Sequence, residues 1–332
     1  MSVSAITPPK PLAFSLLRLM ADGEFHSGEV LARQLGVSRA SVNNALRGIE
    51  QYGLTVFSVR GRGYRLIEPP AWLDAGLVRG ALKTPEIFHI EIVESAASSN
   101  TMLLQRAAQG LPSGSVLAAE WQSAGRGRLG RPWHSGLGNA LTFSLLWRFK
   151  SGLSALSGLS LAVGIAMLRA LRKSGASTVG LKWPNDVLDD SRRKLAGILI
   201  EAQGDMLGPS VVVIGIGLNI KLPPSVSRHI DQPVSALAQV VTELPERNRL
   251  LALLLQELAE VLATFAAQGF APLRAEWESY HLYQDRQVKM LLPDGTQVSG
   301  IVRGVTDEGA LRVETAQGLQ IFNAGEISLR EA

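Results

Sequence analysis

The chain has 332 residues, 46% of them hydrophobic and 19% charged, a formal net charge of +4 and no cysteine. A chain of this length carries two or three domains with a substantial core. The absence of thiols excludes disulfides and thiolate metal sites and suits a reducing cytoplasm, while the mild positive charge permits a polyanionic partner without demanding one.

The N-terminal segment, with Pro8, Pro9 and Pro11, lacks the charged-then-apolar form of a signal peptide. Residues 11–20 have helical apolar spacing. A second short helix starts at Ser27 or Gly28, with Val30, Leu31 and Leu35 on one side. Ser38 caps a third helix, predicted from Arg39 to about Gln51, whose inward stripe is Val42, Leu46 and Ile49. Ala32, Gly36 and Val42 stand at helix-turn-helix spacing. The small residue lets two helices cross, the glycine makes the turn, and the valine packs between them. Such a unit lays its third helix in a major groove. Arg39, Ser41, Asn43, Asn44 and Arg47 then face outward, and arginine and asparagine match guanine and adenine edges. Residues 55–59 and 64–66 read as a hairpin with the tip Arg60-Gly61-Arg62-Gly63, a wing whose arginines meet phosphates. A three-helix protein-interaction module with an incidental hairpin is the competing reading. Glu68-Pro69-Pro70 closes the unit, so a winged helix-turn-helix DNA-binding domain is expected over residues 1–70.

Residues 71–283 mix strand and helix patterns, an α/β domain. Strands are predicted at 89–93, 115–121, 140–148, 179–183, 194–201 and 210–220, the last two as an apolar hairpin. Helices are predicted from the cap Ser98-Ser99-Asn100-Thr101 to Gly110, over 158–172 and over 250–268. The 158–172 helix has few polar residues and is expected to be buried. Gln256, Glu257 and Glu260 interrupt the apolar run near 250–270, which marks an amphipathic helix and not a membrane span.

Between the strands at 115–121 and 140–148 lies Gly125-Arg126-Gly127-Arg128-Leu129-Gly130-Arg131, then Pro132-Trp133. Three glycines and three arginines share seven residues. Glycine lets a backbone approach a ligand, and arginine offers a rigid fork of donors to phosphate or carboxylate. Gly125, Gly127 and Gly130 also satisfy G-x-G-x-x-G. No helix opens at Pro132-Trp133-His134-Ser135-Gly136, however, and Lys150 stands where the dinucleotide fingerprint needs an acid, so that reading fails. A solvated basic loop is the plain alternative. Regional charge argues against it. Residues 121–185 hold nine Lys or Arg and no Asp or Glu, where the chain's overall acid content leads one to expect about six. The region is suited to meeting an anion.

Lys182, Asn185 and Asp186 bracket Trp183-Pro184 at a strand end, where the proline stops the strand. A lysine, an amide and a carboxylate so placed can hold a phosphate, orient it and accept a proton; ordinary turn residues are the alternative. Lys194 opens an apolar strand and either reaches a ligand or snorkels. Gly215-Ile216-Gly217-Leu218-Asn219 either admits a ligand close to a strand and ends in an amide, or marks a bulge. Residues 287–291, 298–305, 311–314 and 320–323 read as short strands, with turns at Pro293-Asp294-Gly295, Asp307-Glu308-Gly309 and Gly318. They form a small β-barrel, expected over 284–332.

Glu120-Trp121-Gln122-Ser123-Ala124 before the Gly-Arg loop, Lys182-Trp183-Pro184-Asn185-Asp186, Lys194-Leu195-Ala196-Gly197-Ile198 and Gly215-Ile216-Gly217-Leu218-Asn219 resemble, in order and spacing, the biotin–[acetyl-CoA carboxylase] ligases. With the winged helix, the resemblance extends to the bifunctional subgroup that represses the biotin operon, and it covers essentially the whole chain. It implies a class II synthetase-like mixed sheet in the centre and an SH3-like cap at the end. It also implies two chemical steps. Biotin and ATP give biotinyl-5′-adenylate and pyrophosphate; a lysine of the biotin carboxyl carrier protein then attacks the mixed anhydride and releases AMP. Ser98, Ser99, Asn100, Gln122 and Lys194 are implied to line the biotin site. Arg126, Gly127 and Arg128 are implied to form a loop that closes over it, Arg128 retaining the adenylate. Lys182, Asn185, Gly215, Gly217 and Asn219 are implied to serve the nucleotide and its Mg²⁺, and Asp186 to take the proton of the incoming lysine. No side chain is assigned as a dedicated metal ligand.

The resemblance further implies a homodimer, promoted by adenylate, that reaches two half-sites of operator DNA. Three departures stand out: Ala97 where relatives often carry an acid, one extra residue between Asp186 and Lys194, and a segment 221–234 that matches no assigned pattern. A biotin-sensing regulator without turnover and a lipoate–protein ligase are the alternative functions. The Gly-Arg loop is expected to be disordered without ligand.

Overall fold

The computed structural model describes residues 7–324 and 328–331. Three helices open the chain, α1 (Pro11–Leu19), α2 (Gly28–Gln34) and α3 (Arg39–Leu46). The side chains of Ser27 and Ser38 accept the backbone N–H groups of Val30 and Ser41, which caps α2 and α3. Ala32 and Val42 are buried between the helices, and Gly36 turns the chain at φ +64°. The third helix is shorter than its spacing predicts. Gly48 adopts φ +77° and ends it, and residues Ile49–Tyr52 continue as a single 3₁₀ turn that still buries Ile49. Strands β1 (Val56–Val59) and β2 (Gly63–Leu66) form the wing, with Val56 opposite Leu66.

The central region follows α4 (Ala75–Ala81). Its strands are β3 (His89–Ala96), β4 (Ser115–Gln122), β5 (Ala140–Phe149), β6 (Gly180–Lys182), β7 (Asp186–Leu188), β8 (Lys194–Gly204) and β9 (Ser210–Asn219). They form one mixed sheet in the order β3-β4-β5-β9-β8-β7-β6, in which only β3 and β4 run parallel. The single strand predicted at 179–183 is in fact one arm of a tight hairpin. A cis peptide at Trp183–Pro184 turns β6 back into β7, a strand too short to leave a period in the sequence.

Both faces of the sheet are covered. Along β4, Val116 and Ala118 point to one core while Leu117 points to the other; Val212, Ile214 and Val213 of β9 divide in the same way. This is the two-residue period of a strand buried on both sides. Helix α5 (Ser99–Ala107) covers one face through Leu103 and Ala107. Helix α6 (Leu159–Lys173) covers the other. A short α7 (Pro224–Ser227) precedes α8 (Arg247–Gln268), which packs on α6, and α9 (Arg274–Ser279) leads out of the domain. Two helical stretches, Leu153–Lys173 and Arg247–Gln268, are long and apolar enough to cross a membrane by length and composition, and both lie in the core.

The C-terminal strands are β10 (Gln287–Leu291), β11 (Gln297–Val305), β12 (Leu311–Thr315), β13 (Gly318–Phe322) and β14 (Ser328–Glu331). They form an antiparallel sheet in the order β13-β12-β11-β10-β14.

Several contacts fix the N-terminal unit to the central one, among them Leu137 N–H to the Tyr52 carbonyl at 2.7 Å, Asn139 Nδ2 to the Gly53 carbonyl at 3.1 Å and the Lys221–Glu68 ion pair at 2.6 Å. Trp121, near the end of β4, sits in the hydrophobic core of the helix-turn-helix and meets Tyr52 edge-on, with ring centroids 5.4 Å apart. Behind it, Glu120 and Arg247 form an ion pair at 2.9 Å whose side chains are 0% and 4% exposed. Most of the pair's polar atoms have partners, Arg247 Nε being the buried exception. Glu120 accepts the N–H of Leu73, and Arg247 donates to the carbonyls of Ala71 and Ala140. The segment joining the two units is thereby tied to β4, β5 and α8.

Candidate active site

A cleft opens over β8 and β9, beneath the Gly-Arg loop. Its shape comes from glycines. Asn100 lies where a Cβ on Gly215 would stand, its Oδ1 only 2.3 Å from that point, and the Trp133 indole lies 2.4 Å from the corresponding point on Gly217. Gly197 faces Gly217 across the strand pair and lies beneath the Trp133 ring and the Lys194 amine. The glycines expected to admit a nucleotide therefore admit protein side chains, which in turn line the cleft.

At the head of the cleft, Ser98 caps α5 by accepting the Thr101 N–H at 3.4 Å. Gln122 Oε1 accepts the Ser99 N–H at 2.7 Å, so its amide nitrogen keeps both hydrogens for a ligand. Ser144, Asn100 and Glu201 continue the polar line.

At the other end the groups are charged. Lys194 Nζ lies 2.6 Å from Asp186 Oδ1. Burial lowers the Lys182 pKa, and the charges of Arg330, Lys194 and Arg131 push the same way against the pull of Asp186. Burial likewise lowers Arg128, and Asp186 opposes it. Behind the hairpin turn His281 is buried, with a pKa lowered to about 3 by desolvation and by Lys182, so its ring is neutral and Nε2 accepts the Trp183 N–H at 3.4 Å.

The loop is folded over the cleft as a small hairpin of its own. Gly127 N–H donates to Arg131 O and Trp133 N–H donates to Gly125 O. At its tip Leu129 takes φ +56° and is exposed. Arg126 pairs with Glu201 at 2.8 Å, and Arg128 donates to Asn185 Oδ1 at 3.3 Å and to the carbonyl of Ala324 in the C-terminal region.

Of the residues singled out from sequence, Ser98, Ser99, Asn100, Gln122, Arg126, Gly127, Arg128, Lys182, Asn185, Asp186, Lys194, Gly215 and Gly217 all line this cleft. Asn219 does not. It is buried, faces Ala140 in register and donates to the Ser235 carbonyl, so it braces the segment after α7. Arg131 and Trp133, named from sequence only as part of the loop, also line the cleft, as do Thr142, Gln232, Leu329 and Arg330, which sequence reasoning missed. Gln232 places the unassigned segment 221–234 at the rim. On the N-terminal unit Arg39, Asn43, Asn44 and Arg47 are exposed along α3, as are Arg60 and Arg62 on the wing. Ser41 is half-buried and bonded to Ser38, so it serves the cap. Asn43 accepts from Tyr64, and Arg62 stacks on Phe25 at 4.1 Å.

A cleft with a polar head, an aromatic wall and a cationic far end, covered by an arginine-bearing loop, suits a small ligand with an anionic end. The Biotin/lipoate A/B protein ligase family model matches residues 92–219, the Biotin protein ligase C terminal domain model residues 285–330, and an HTH domain model residues 13–65. The Bifunctional ligase/repressor BirA of Escherichia coli K12 is 40% identical over 96% of this chain and 97% of its own length. The protein of the same name from Bacillus subtilis 168 is 30% identical over 93% of this chain and 95% of its own. A biotin protein ligase from Aquifex aeolicus, solved in complex with biotin and ATP, superposes with a TM-score of 0.62 at 27% identity, covering 74% of this chain and 99% of that one. The chain belongs to the biotin protein ligase family, in its bifunctional ligase/repressor branch, and is an enzyme of that kind.

Proposed function

We propose that this protein activates biotin with ATP as biotinyl-5′-adenylate, transfers the acyl group to one lysine of a biotin carboxyl carrier protein, and with adenylate bound dimerises on operator DNA of biotin synthesis genes. The observation that carries the reading is the meeting of the Gly-Arg lid with the Lys182–Asp186 turn, Arg128 on Asn185, above one cleft. The division 1–70, 71–283 and 284–332 assigns DNA binding, catalysis and the cap respectively. Cytoplasmic residence, without membrane contact, belongs to the same reading.

In the first step a biotin carboxylate oxygen attacks the α-phosphorus and pyrophosphate leaves. Lys182, Arg128, Arg131 and Arg330 supply positive charge inside a partly buried cleft, where it acts more strongly than in water. Trp133, over Gly217, holds the acid between the polar head and the cations. In the second step the acceptor amine attacks the acyl carbonyl, the acyl–phosphate bond breaks and AMP leaves with the bonding pair. Asp186 receives the amine proton. The closed lid keeps water from the anhydride meanwhile.

Among the described residues no three His, Cys, Asp or Glu groups converge. Mg²⁺ would enter the cleft as a phosphate-held ion, with Asp186 and Asn185 as the nearby protein oxygens, each already engaged, Asp186 Oδ1 by Lys194 Nζ at 2.6 Å and Asn185 Oδ1 by Arg128 at 3.3 Å. Bound there, the ion would neutralise triphosphate charge.

Biotin-dependent ATP–pyrophosphate exchange tests the enzyme, with Lys182→Ala expected to lose it. No exchange by the wild type removes the ligase reading in favour of a sensor; exchange with lipoate only selects a lipoate ligase. For the repressor, a gel shift of operator DNA that requires both biotin and ATP is expected. In analytical ultracentrifugation, a persistent monomer at saturating adenylate counts against the dimer.

A further inference from the structure

Glu201 lies 75 positions from Arg126 in the chain, yet its two carboxylate oxygens join the lid to the floor of the cleft. Oε1 accepts from Arg126 of the lid at 2.8 Å, and Oε2 accepts from Asn100 Nδ2 at 2.9 Å. We propose that Glu201 is a positioning residue that sets which way the hydrogen bonds point at the head of the cleft, and that the same carboxylate latches the lid. The proposal deepens the biotin-ligase reading and rests on it.

An ionised carboxylate accepts hydrogen bonds and donates none. It therefore holds the Asn100 amide with its nitrogen outward, where the Leu199 carbonyl, at 3.4 Å, gives weaker help. Asn100 Oδ1 is left facing Ser144. Ser144 has one hydroxyl hydrogen and two oxygen neighbours, Asn100 Oδ1 at 2.5 Å and Ser99 Oγ at 2.7 Å. An amide oxygen only accepts, so the Ser144 hydrogen goes to Asn100. The Ser99 hydroxyl must then give its own hydrogen to Ser144. Ser99 Oγ consequently presents lone pairs, and no hydrogen, to the cleft.

Gln122 is fixed in the opposite sense, because its Oε1 is taken by Ser99 N–H and its NH₂ remains. The head thus offers one acceptor beside one donor. That pair matches a cyclic urea, which carries N–H beside C=O, and mismatches a head group without N–H such as a dithiolane. All the relays are buried: Ser144 is 0%, Ser99 4% and Asn100 4% exposed. A reversed bond here has no water to turn to, which makes its orientation costly to change.

Glu201→Gln keeps the shape but has one acceptor for two donors, so it must either turn the Asn100 amide or release Arg126. Ser144→Ala cuts the relay and leaves the latch. Biotin Kd by calorimetry, kcat of pyrophosphate exchange at saturating biotin, and trypsin cleavage at the lid arginines give the readouts. For Glu201→Gln we expect biotin Kd to rise about tenfold or more, kcat to stay within about threefold, and the lid to be cut faster. For Ser144→Ala we expect the same rise in Kd with wild-type cleavage. Both variants should also narrow the preference for biotin over a biotin methylated on its ureido nitrogens. Unchanged biotin Kd in both variants overturns the proposal, as does a parallel loss of kcat and thermal stability without a change in that preference. Absence of exchange by the wild type is a separate result that overturns the ligase reading.

Discussion

Asp186 and Lys194 form an ion pair, Oδ1 to Nζ at 2.6 Å, across the two strands that follow the cis Trp183–Pro184 turn. The pair holds the carboxylate within the cleft, which Lys182, Arg128, Arg131 and Arg330 also line. In the proposed second step this group acts as the base. Asp186→Asn should lower acyl transfer to the acceptor about a hundredfold or more, the usual worth of a positioned base. Exchange, which reports the first step alone, should fall far less. Equal losses in the two assays would make Asp186 a first-step residue instead.

Lys182 must be protonated to hold a phosphate, and burial lowers its pKa. A lowered value means that the proton leaves at a pH below that of an ordinary lysine. The alkaline limb of kcat/KM for adenylation should accordingly begin below the normal lysine range. Lys182→Arg should move that limb upward, since arginine keeps its charge. An alkaline limb that stays in place in the variant would assign it to another group.

Arg128 bridges the lid, Asn185 and the Ala324 carbonyl. Removing it by Arg128→Ala opens the lid at its middle. Free adenylate should then appear in solution without acceptor protein, about tenfold or more faster than from wild type, the worth of one or two charged hydrogen bonds. Chromatography of the reaction mixture measures it. Wild-type retention of adenylate would show that Arg126 and Glu201 suffice.

Gly217→Ala brings a Cβ to 2.4 Å from the Trp133 indole, so the ring must move. Overpacking of this kind costs about 1–3 kcal/mol, and here the displaced ring is a wall of the cleft. Biotin affinity should drop about ten- to a hundredfold. Trp133→Phe in the same chain should recover part of it, because the smaller ring leaves room; a double variant no better than the product of the two singles would place the effect elsewhere.

Local chemistry was legible in the sequence. Ala32, Gly36 and Val42 announced the helix-turn-helix because each acts on its immediate neighbours. The Gly-Arg loop and the Lys182–Asp186 turn stood out because glycine, proline and charge were concentrated in a few positions. What stayed hidden depended on register. Asn219 looked exposed to a ligand beside two glycines, yet the pairing of β9 with β5 turns it inward. Trp133 was visible as the tail of the loop, but only the strand pair shows that Gly217 makes room for it. Arg330 reaches the cleft from another sheet, and Glu201 reaches Arg126 and Asn100 from β8, and no spacing rule links either to Arg126. The extent of α3 was overestimated, since Gly48 sits where the apolar stripe alone gives no reason to stop.

Trp121 and Gln122 are successive residues of one strand, so their side chains leave opposite faces: Trp121 enters the core of the DNA-binding unit, and Gln122 enters the cleft. The two halves of the protein are therefore not inherited independently. A chain beginning after residue 70 would bare the indole and Leu137 to water beside the wall that meets the substrate. A change at Tyr52, chosen only for its effect on DNA, reaches the same wall through a ring contact of 5.4 Å. Variation in the regulatory half is thus subject to selection on the enzyme, and relatives that lack the N-terminal unit should carry a more polar residue where this chain has Trp121.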